Sequence, residues 1–307
     1  MADGWRIRDM YETRLGADQL AALAAVIEFG SFDTAAERLH VTPSAVSQRI
    51  KALEQRVGQV LVVREKPCRP TAAGVPLLRL AAQTAMLESE ALAETSGGGP
   101  GERTRIAIAV NADSMSTWFT AVLGQLPDVL LDIRIEDQDH SAGLLREGEV
   151  MGAVTTERIP VSGCRVHSLG VMRYLPVAAP AFRERYLSGG FTAEAVASAP
   201  SLAWNSDDAL QDMLVRKVFR RTIPRFVHYV PTADGFGAAV RAALGWGMYP
   251  EQLAAPSLAN GSFVRIADVH LDVPLFWQCW KLDSRMVEAV TAVVRSAAND
   301  LRRGRKY

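Results

Sequence analysis

Apolar residues recur every three or four positions in three successive stretches near the start of the chain. This spacing places them on one face of a helix, so each stretch predicts an amphipathic helix. The three predicted helices cover residues 18–29, 32–39 and 43–57. The short interval before the third helix predicts a tight turn, in which Thr42 caps that helix and Pro43 occupies its first position, where a missing N–H group is harmless.

The outer face of the third predicted helix is polar. It holds two small hydroxyls, one amide and two cations: Ser44, Ser47, Gln48, Arg49 and Lys51. Such side chains suit a helix that enters the major groove of DNA, because an amide can recognise adenine and cations can hold guanine or phosphate. A solvated helix in an ordinary helical domain is the alternative interpretation.

A short, basic strand pair is predicted after this helix. Residues 59–64 form the first strand, and a turn leads to a new helix that begins near residue 71. Arg64, Lys66 and Arg69 favour a wing that contacts phosphates or the minor groove of DNA. A solvated hairpin is the alternative.

Residues 72–95 predict one long helix. Their apolar positions alternate in steps of three and four, which is the seam of a dimerisation helix. Glycines then dominate residues 96–101, and this composition predicts a flexible linker. The chain is thereby divided into an N-terminal module and a second domain.

Strands and helices alternate through the second domain. Residues 105–155 follow the order strand, helix, strand, helix, strand, with a helix that begins at Ser114, and this order predicts a parallel sheet covered by helices. Strands predicted over residues 175–179, 199–204 and 226–230, with a helix over 209–219, indicate a second α/β lobe. Further strands are predicted over residues 263–266 and 275–280. A closing helix is predicted over residues 283–303.

Polar side chains follow the predicted strands of both lobes, where open α/β sheets bind their ligands. The candidate residues are Asn111, Asp113, Ser114, Asp137, Thr155, Asp208 and Asp234. Carboxylates are common here and cations are rare, so a small cation would fit, while a helix N-terminus at Ser114 would offer N–H groups to a carboxylate. Lysine, arginine and histidine have both charges. The alternative is that these residues only cap helices; Trp204 is either a cleft wall or a core residue.

Charge supports a nucleic-acid surface on the first module. The 307 residues include 34 cationic and 34 anionic side chains, so the chain is neutral overall. Residues 38–71, however, hold seven cations against two carboxylates, a local net charge of +5. A basic segment on a neutral protein fits a dedicated DNA surface better than non-specific adhesion.

Other classes of protein find little support. The three cysteines lie far apart and the five histidines lack metal-ligand spacing, so we expect no disulfide framework and no metal. The sequence shows neither a signal peptide nor a membrane-length apolar stretch, which predicts a cytoplasmic protein. We expect no cofactor and no enzymatic activity. An enzyme fused to a DNA-binding head and an architectural DNA-binding protein remain the alternatives.

The segment AAERLHVTPSAVSQRIKALEQRVGQVLVVR resembles the N-terminal module of LysR-type transcriptional regulators, and the resemblance extends over almost the whole chain. Three segments, HVTPSAVSQRIKALEQRVGQVLVVRE, IAVNADSMSTWF and LLREGEVMGAVT, are most similar to the ArgP/LysG branch, which senses basic amino acids. The resemblance implies an α/β protein with a winged helix-turn-helix, a linker helix and a two-lobed effector domain like a periplasmic binding protein.

The implied domains follow from this resemblance. They are a tail (1–14), a winged helix-turn-helix domain (15–71, with the helix-turn-helix at 32–51), a dimerisation helix (72–95), a linker (96–101) and an effector-binding domain (102–307). Within the last, lobe I is expected at about 102–160 and 267–307, and lobe II at about 161–266.

The resemblance also implies partners. The protein would bind promoter DNA as a homodimer or homotetramer, respond to L-lysine or L-arginine, and act with RNA polymerase as an activator of an amino-acid exporter gene. The residues expected at the DNA are Thr42, Pro43, Ser44, Ser47, Gln48, Arg49, Lys51, Arg64, Lys66 and Arg69.

Overall fold

The N-terminal module is a three-helix unit with a small wing. A computed structural model describes residues 15–95, 104–127, 129–136, 141–299 and 301. The elements of the module are α1 (Ala17–Glu28), α2 (Phe32–Arg38), α3 (Pro43–Val57), β1 (Val62–Val63) and β2 (Arg69–Pro70). The predicted strand over residues 59–64 is therefore much shorter than expected, because only two of its residues pair with β2.

Local capping fixes the turn between α2 and α3. The Thr42 hydroxyl accepts a hydrogen bond from the Ala45 N–H group at 3.2 Å, and Pro43 is the first residue of α3. Gly58 ends α3 in the left-handed conformation with φ 74°. Both ends of the helix thus follow the sequence prediction.

A long helix, α4 (Gly74–Thr95), leads out of the module. Leu77 and Leu78 pack against the core of the module, while Ala81 and Met86 are buried further along the helix. Leu80, Leu87 and Leu92 are exposed, and the dimerisation role of this helix stays a prediction. Among the described residues, no helix is both long and apolar enough to cross a membrane.

The remainder of the described chain is a two-lobed α/β domain. Its first elements are β3 (Thr104–Asn111), α5 (Ala112–Met115), α6 (Thr120–Leu123), β4 (Val129–Glu136), α7 (Ser141–Glu147), β5 (Gly152–Thr155), β6 (Cys164–Ala178), α8 (Pro180–Tyr186), α9 (Ala193–Ser198) and β7 (Ser201–Ala203). The others are α10 (Leu210–Phe219), β8 (Val227–Tyr229), α11 (Ala233–Arg241), β9 (Gly247–Pro250), α12 (Glu251–Ala259), β10 (Val264–Arg265), β11 (Leu271–Trp280) and α13 (Arg285–Ala297).

One curved sheet runs through both lobes. Its strand order is β10–β6–β11–β5–β3–β4, and β9 also pairs with β6. The strands β3, β4 and β5 are parallel, as the alternating pattern predicted, whereas β6 and β11 are antiparallel to each other. We call the side with β3, β4, β5 and α13 lobe I, and the side with β7, β8, β9 and β10 lobe II.

The strands β6 and β11 connect the two lobes. One end of this pair lies beside β5 in lobe I, and the other end of β6 pairs with β9 and β10 in lobe II. A change of register between Leu275 and Phe276 interrupts the pairing midway. Irregularities of this kind bend a strand and increase its twist. The cleft between the lobes lies where this pair crosses from one to the other.

Lobe I is also bonded to α4. The Arg79 guanidinium donates to the carbonyls of Ser162 and Arg146, each at 2.9 Å. Near the other end of α4, a Glu90 carboxylate oxygen accepts from the Ser284 hydroxyl at 2.5 Å and from the Met286 N–H group at 3.2 Å. Glu90 therefore binds the first turn of α13, where backbone N–H groups lack helical partners.

The prediction of a helix that begins at Ser114 is wrong. The chain instead forms two short helices, α5 and α6, and Ser114 lies buried within α5. The Thr117 hydroxyl donates to the Asp113 carbonyl of α5 at 2.6 Å. This carbonyl would accept from a backbone N–H group if the helix continued. Local bonds of this kind compete with continued helix formation.

Gly152 allows close packing beneath the sheet of lobe I. A Cβ atom at this position would overlap the Trp277 ring, which is itself buried and donates to the Thr291 hydroxyl at 3.0 Å. We predict that Gly152→Ala lowers the free energy of unfolding by about 1–3 kcal/mol, because an added carbon in a packed core forces strain. Urea denaturation followed by tryptophan fluorescence measures the change.

Gly143 provides the matched control, because it lies in α7 and an added Cβ atom would meet nothing within 4 Å. Gly143→Ala should raise the free energy of unfolding by about 0.5–1 kcal/mol, since alanine is the better helix former. Equal effects of the two substitutions would contradict the packing explanation for Gly152.

Candidate DNA-binding and ligand-binding sites

The outer face of α3 presents the predicted DNA contacts to solvent. Thr42, Pro43, Ser44, Gln48 and Lys51 are exposed. Ser47 and Arg49 are half-buried, and the Arg49 guanidinium lies 3.0 Å from the Asp18 carboxylate of α1. The exposed residues of this face are therefore mostly uncharged. Among them Gln48 has the side chain best suited to a base edge, because an amide can pair with adenine.

The wing adds positive charge beside α3. Arg64, Lys66 and Arg69 are all exposed, and the Arg64 guanidinium stacks 5.0 Å from the centre of the Phe32 ring. The wing is tied to α3 by a Glu54 carboxylate oxygen, which accepts from the Leu61 N–H group at 2.9 Å. This bond joins the start of the wing to α3.

An acidic cleft of about 280 Å³ lies between the lobes. Its lining residues are Asn111, Ala112, Asp113, Glu136, Thr156, Trp204, Asp207, Asp208, Ala209, Leu210, Met213, Asp272, Val273 and Pro274. Five of these described residues are carboxylates and none is a cation. Trp204, Leu210, Met213 and Val273 supply an apolar wall. Such a cleft suits a small molecule with a positive charge and an aliphatic part.

The carboxylates of the cleft differ in their bonding. Both Asp208 oxygens accept from backbone N–H groups, those of Trp204 at 2.9 Å and Leu210 at 3.1 Å. The Asp113 carboxylate accepts from the Tyr174 hydroxyl at 2.6 Å. Of these two, Asp208 fits the helix-cap alternative, because it joins the loop to the start of α10.

The negative charge of Asp272 is balanced by an arginine of the same protein. It forms a two-point ion pair with Arg173 at 2.8 and 3.0 Å, and the two residues face each other across β6 and β11. Hydrogen bonding from this guanidinium holds the pKa of the Asp272 carboxyl below its ordinary value. Asp272 therefore stays ionised, but its charge is already balanced.

Two buried polar side chains near the cleft lack partners among the described residues. Asn111 is 2 % exposed and neither its amide oxygen nor its amide nitrogen is hydrogen-bonded. The Ser114 hydroxyl is fully buried and also unbonded, although Ser114 does not line the cleft. Unsatisfied buried groups are costly. Asn111 lines the cleft, so a bound ligand could satisfy its amide.

The other predicted ligand-binding residues lie elsewhere. Thr155 is buried behind the cleft, where its hydroxyl lies 3.4 Å from the Gln278 amide, and its neighbour Thr156 lines the cleft instead. Asp234 is exposed on α11 and is not a lining residue. Asp137 lies outside the described residues.

Glu136, Asp207 and Asp272 are lining carboxylates that were not among the candidates. Glu136 ends β4 and Asp207 follows β7, and each is adjacent in sequence to a residue that was chosen as a candidate, Asp137 or Asp208. Asp272 lies in the part of β11 that the sequence did not predict as a strand.

The described residues offer no cluster of three His, Cys, Asp or Glu side chains that could hold a metal ion. The described cysteines are free thiols, and burial raises the pKa of Cys164 to about 11. A thiol with so high a pKa is a poor nucleophile at neutral pH.

Comparison with known proteins assigns both domains. Residues 17–75 match the family model of the bacterial regulatory helix-turn-helix protein, lysR family, and residues 99–302 match that of the LysR substrate binding domain. The chain is 72% identical over 297 residues to the HTH-type transcriptional regulator LysG of Mycobacterium tuberculosis, a match that covers 97% of this chain and 98% of the relative.

Solved structures agree with this assignment. The crystal structure of ArgP from Mycobacterium tuberculosis is 73% identical, covers 95% of this chain and 100% of its own, and superposes with a TM-score of 0.90. Full-length LysG from Corynebacterium glutamicum with bound effector Arg is 41% identical, covers 94% and 99% of the two chains, and superposes with a TM-score of 0.79. These matches confirm the predicted winged helix-turn-helix and two-lobed effector domain, and the chain belongs to the LysR family of bacterial regulatory helix-turn-helix proteins.

Proposed function

We propose that this protein is a transcriptional regulator whose binding to promoter DNA is controlled by L-lysine or L-arginine. The observation that supports it is the acidic cleft in a chain that also presents a basic winged helix-turn-helix. The effector arginine in the structure of the Corynebacterium glutamicum relative supports the same class of ligand. Carboxylates without a cation among the described lining residues attract a cationic ligand and repel anionic metabolites.

Contacts with DNA are divided between α3 and the wing. Gln48 and Ser44 are exposed on α3 and contact base edges, whereas Arg64, Lys66 and Arg69 on the wing hold the phosphate backbone. Two such modules are needed for one operator. The exposed leucines of α4 provide the seam of a homodimer, which places two copies of α3 about 34 Å apart or a multiple of it.

Ligand and DNA binding are coupled through α4. The ligand binds one arrangement of the lobes better than the other and shifts the population towards it. Thr156 lines the cleft, and the adjacent Glu157 carboxylate pairs with the Arg146 side chain at 3.0 Å. The Arg146 carbonyl in turn accepts from Arg79 of α4. A movement of the cleft wall thus reaches the helix that holds the DNA-binding module.

The wider assignment follows from the relatives. They are transcriptional regulators, which favours a non-enzymatic role over an enzyme fused to a DNA-binding head or an architectural protein. Similarity to the ArgP/LysG branch favours a homodimer or homotetramer that acts with RNA polymerase to activate an amino-acid exporter gene in the cytoplasm.

Basic amino acids should stabilise the purified protein. We predict that L-lysine or L-arginine raises the melting temperature in a thermal-shift assay with each of the twenty amino acids. A ligand that binds only the folded state at about 100 times its Kd adds about 2.7 kcal/mol to stability. L-Norleucine, which lacks the side-chain charge of lysine, is the control. An equal shift with norleucine, or no shift with any basic amino acid, would rule out the proposed ligand class.

Two substitutions separate base recognition from phosphate contact. Gln48→Ala should relax the preference for operator over random DNA by about 1–3 kcal/mol, because a base contact is lost. Lys66→Ala should weaken binding to both DNAs alike and lower the slope of log K against log salt by about one. Fluorescence anisotropy over a salt series measures both.

The exposed Lys281 of the effector domain supplies the charge-matched control. Lys281→Ala should leave the salt slope unchanged. Salt-insensitive and equal effects of Gln48→Ala and Lys66→Ala would contradict the assignment of α3 and the wing to DNA.

A further inference from the structure

One buried glutamine side chain holds the loop between β5 and β6, which covers residues 156–163 and is called the β5–β6 loop below. Gln278 of β11 is fully buried, and its amide nitrogen donates to the Glu157 carbonyl at 2.9 Å and to the Ile159 carbonyl at 3.2 Å. Its amide oxygen accepts from the Val161 N–H group at 2.8 Å. A glutamine amide has two N–H donors and a carbonyl acceptor, so this side chain bonds three backbone groups of the loop at once.

The β5–β6 loop depends on these bonds because its own backbone joins no regular element. Its residues lie between the end of β5 at Thr155 and the start of β6 at Cys164 and belong to no helix or strand. Pro160, in the middle of the loop, has no N–H group to donate. Backbone polar groups that leave water need partners. Gln278 supplies three of these partners from outside the loop.

Gln278 is a firm anchor for the loop. Its backbone pairs with Ala153 of β5 on one side and with Val166 of β6 on the other. A fully buried side chain between two paired strands has little freedom to change its rotamer, because the interior is closely packed. The loop is therefore fixed to the sheet of lobe I and moves with it.

The two ends of the β5–β6 loop face different functional parts. Thr156 lines the cleft, and the Ser162 carbonyl accepts from the Arg79 guanidinium of α4 at 2.9 Å. The three backbone groups that Gln278 bonds lie between these two residues. One buried amide thus stiffens the whole distance from the cleft to α4.

The side-chain pair of Glu157 with Arg146 is a weaker connection to α4. The Glu157 side chain is 37% exposed and the Arg146 side chain is 53% exposed. Ion pairs between exposed side chains are screened by solvent and contribute little. The hydrogen bonds of Gln278 are protected from water, so they hold the loop more firmly.

Resting on the proposed function, we infer that Gln278 is the positioning residue that makes the β5–β6 loop a rigid connection between the cleft and α4. A movement of lobe I on ligand binding reaches Arg79 because the loop cannot deform in between. Gln278 is not among the described residues that line the cleft. Its replacement therefore acts on the coupling of ligand to DNA and not on a ligand contact.

Gln278→Met on the full-length protein tests this role. Methionine is an unbranched apolar side chain that fills the same space but forms none of the three bonds. The DNA is a duplex that the wild-type protein selects from a random library. Fluorescence anisotropy gives its Kd alone and with saturating L-lysine or L-arginine, and the larger ratio, written as a value above one, is the coupling factor.

The substitution should abolish coupling and leave ligand binding in place. Coupling between two sites is commonly about 5- to 150-fold in affinity. In Gln278→Met the coupling factor should fall to about twofold or less, because the slack loop no longer transmits the movement to α4. Calorimetry should still detect binding of the same amino acid.

Thr291→Val is the matched control for lost stability. The Thr291 hydroxyl accepts from the Trp277 ring N–H group at 3.0 Å. Trp277 precedes Gln278 in β11, so its side chain lies on the other face of the sheet. Valine has the shape of threonine without the acceptor. This variant should lower the melting temperature and keep the wild-type coupling factor, as should Arg158→Ala, an exposed position of the loop, without loss of stability.

Hydrogen exchange on the wild type needs no substitution and covers the case in which Gln278→Met does not fold. The Val161 N–H group should exchange at least about tenfold more slowly than in an unfolded peptide, because a bonded amide exchanges only when the bond opens. Nuclear magnetic resonance resolves this single amide. Its protection should persist when L-lysine or L-arginine is bound.

The outcomes separate this inference from the proposed function. A wild-type coupling factor in Gln278→Met, or an unprotected Val161 N–H group, would overturn the role of Gln278 and leave the proposed function intact. An equal loss of coupling in Thr291→Val would assign the effect to stability and overturn the positioning role. A wild type that binds neither L-lysine nor L-arginine, or whose coupling factor is one, would overturn the proposed function and this inference with it.

Discussion

The antiparallel pairing of β6 with β11 extends from one lobe into the other, and the acidic cleft depends on it. The pair places Arg173 opposite Asp272 and Tyr174 opposite Leu271, so two cleft contacts come from adjacent positions of one strand. Asp272, Val273 and Pro274 line the cleft from β11. Because the register of a strand pair fixes which side chains share a face, a slip of one residue would remove these contacts together.

The DNA-binding module is connected to this cleft by α4 rather than by a free tether. Hydrogen bonds at Arg79 and Glu90 fasten α4 near both ends of its contact with lobe I. Gly148 allows the backbones to approach closely, since a Cβ atom there would lie 2.6 Å from the Arg79 Cα atom. A helix held at two separated points can transmit a tilt of the lobe, whereas a single contact would allow it to pivot.

Much of the fold could be predicted from local sequence. Thr42, Pro43 and Gly58 are type-specific signals for the ends of a helix, and they gave correct bounds for α3. The strands β3 and β5 of lobe I were recognisable because buried parallel strands are almost continuously apolar. The strand β4 lies at the edge of the sheet and was recognisable because apolar and charged residues alternate along its second half. The first part of β6 was missed, because Arg165, His167 and Ser168 interrupt its apolar run on a half-exposed face.

The cleft was only partly predictable, since its key contacts join distant parts of the chain. Asn111 ends a strand, Asp113 and Asp208 follow strands, and all three could be named as candidates. The bond between Tyr174 and Asp113 spans 61 residues, and no periodicity or spacing indicates it. Asp272 and Arg173 are separated by 99 residues and meet only through the antiparallel register. Such pairs are products of topology and become visible only in the folded chain.

The bonds made by Arg79 have a consequence for how such a protein can diverge. Both of its acceptors are main-chain carbonyls, those of Arg146 and Ser162, which every amino acid possesses. Replacement of either side chain would leave the acceptor in place, so the attachment of α4 tolerates sequence drift on the surface of lobe I. The lining of the cleft can therefore be remodelled for a different ligand while the mechanical connection to the DNA-binding module is inherited unchanged.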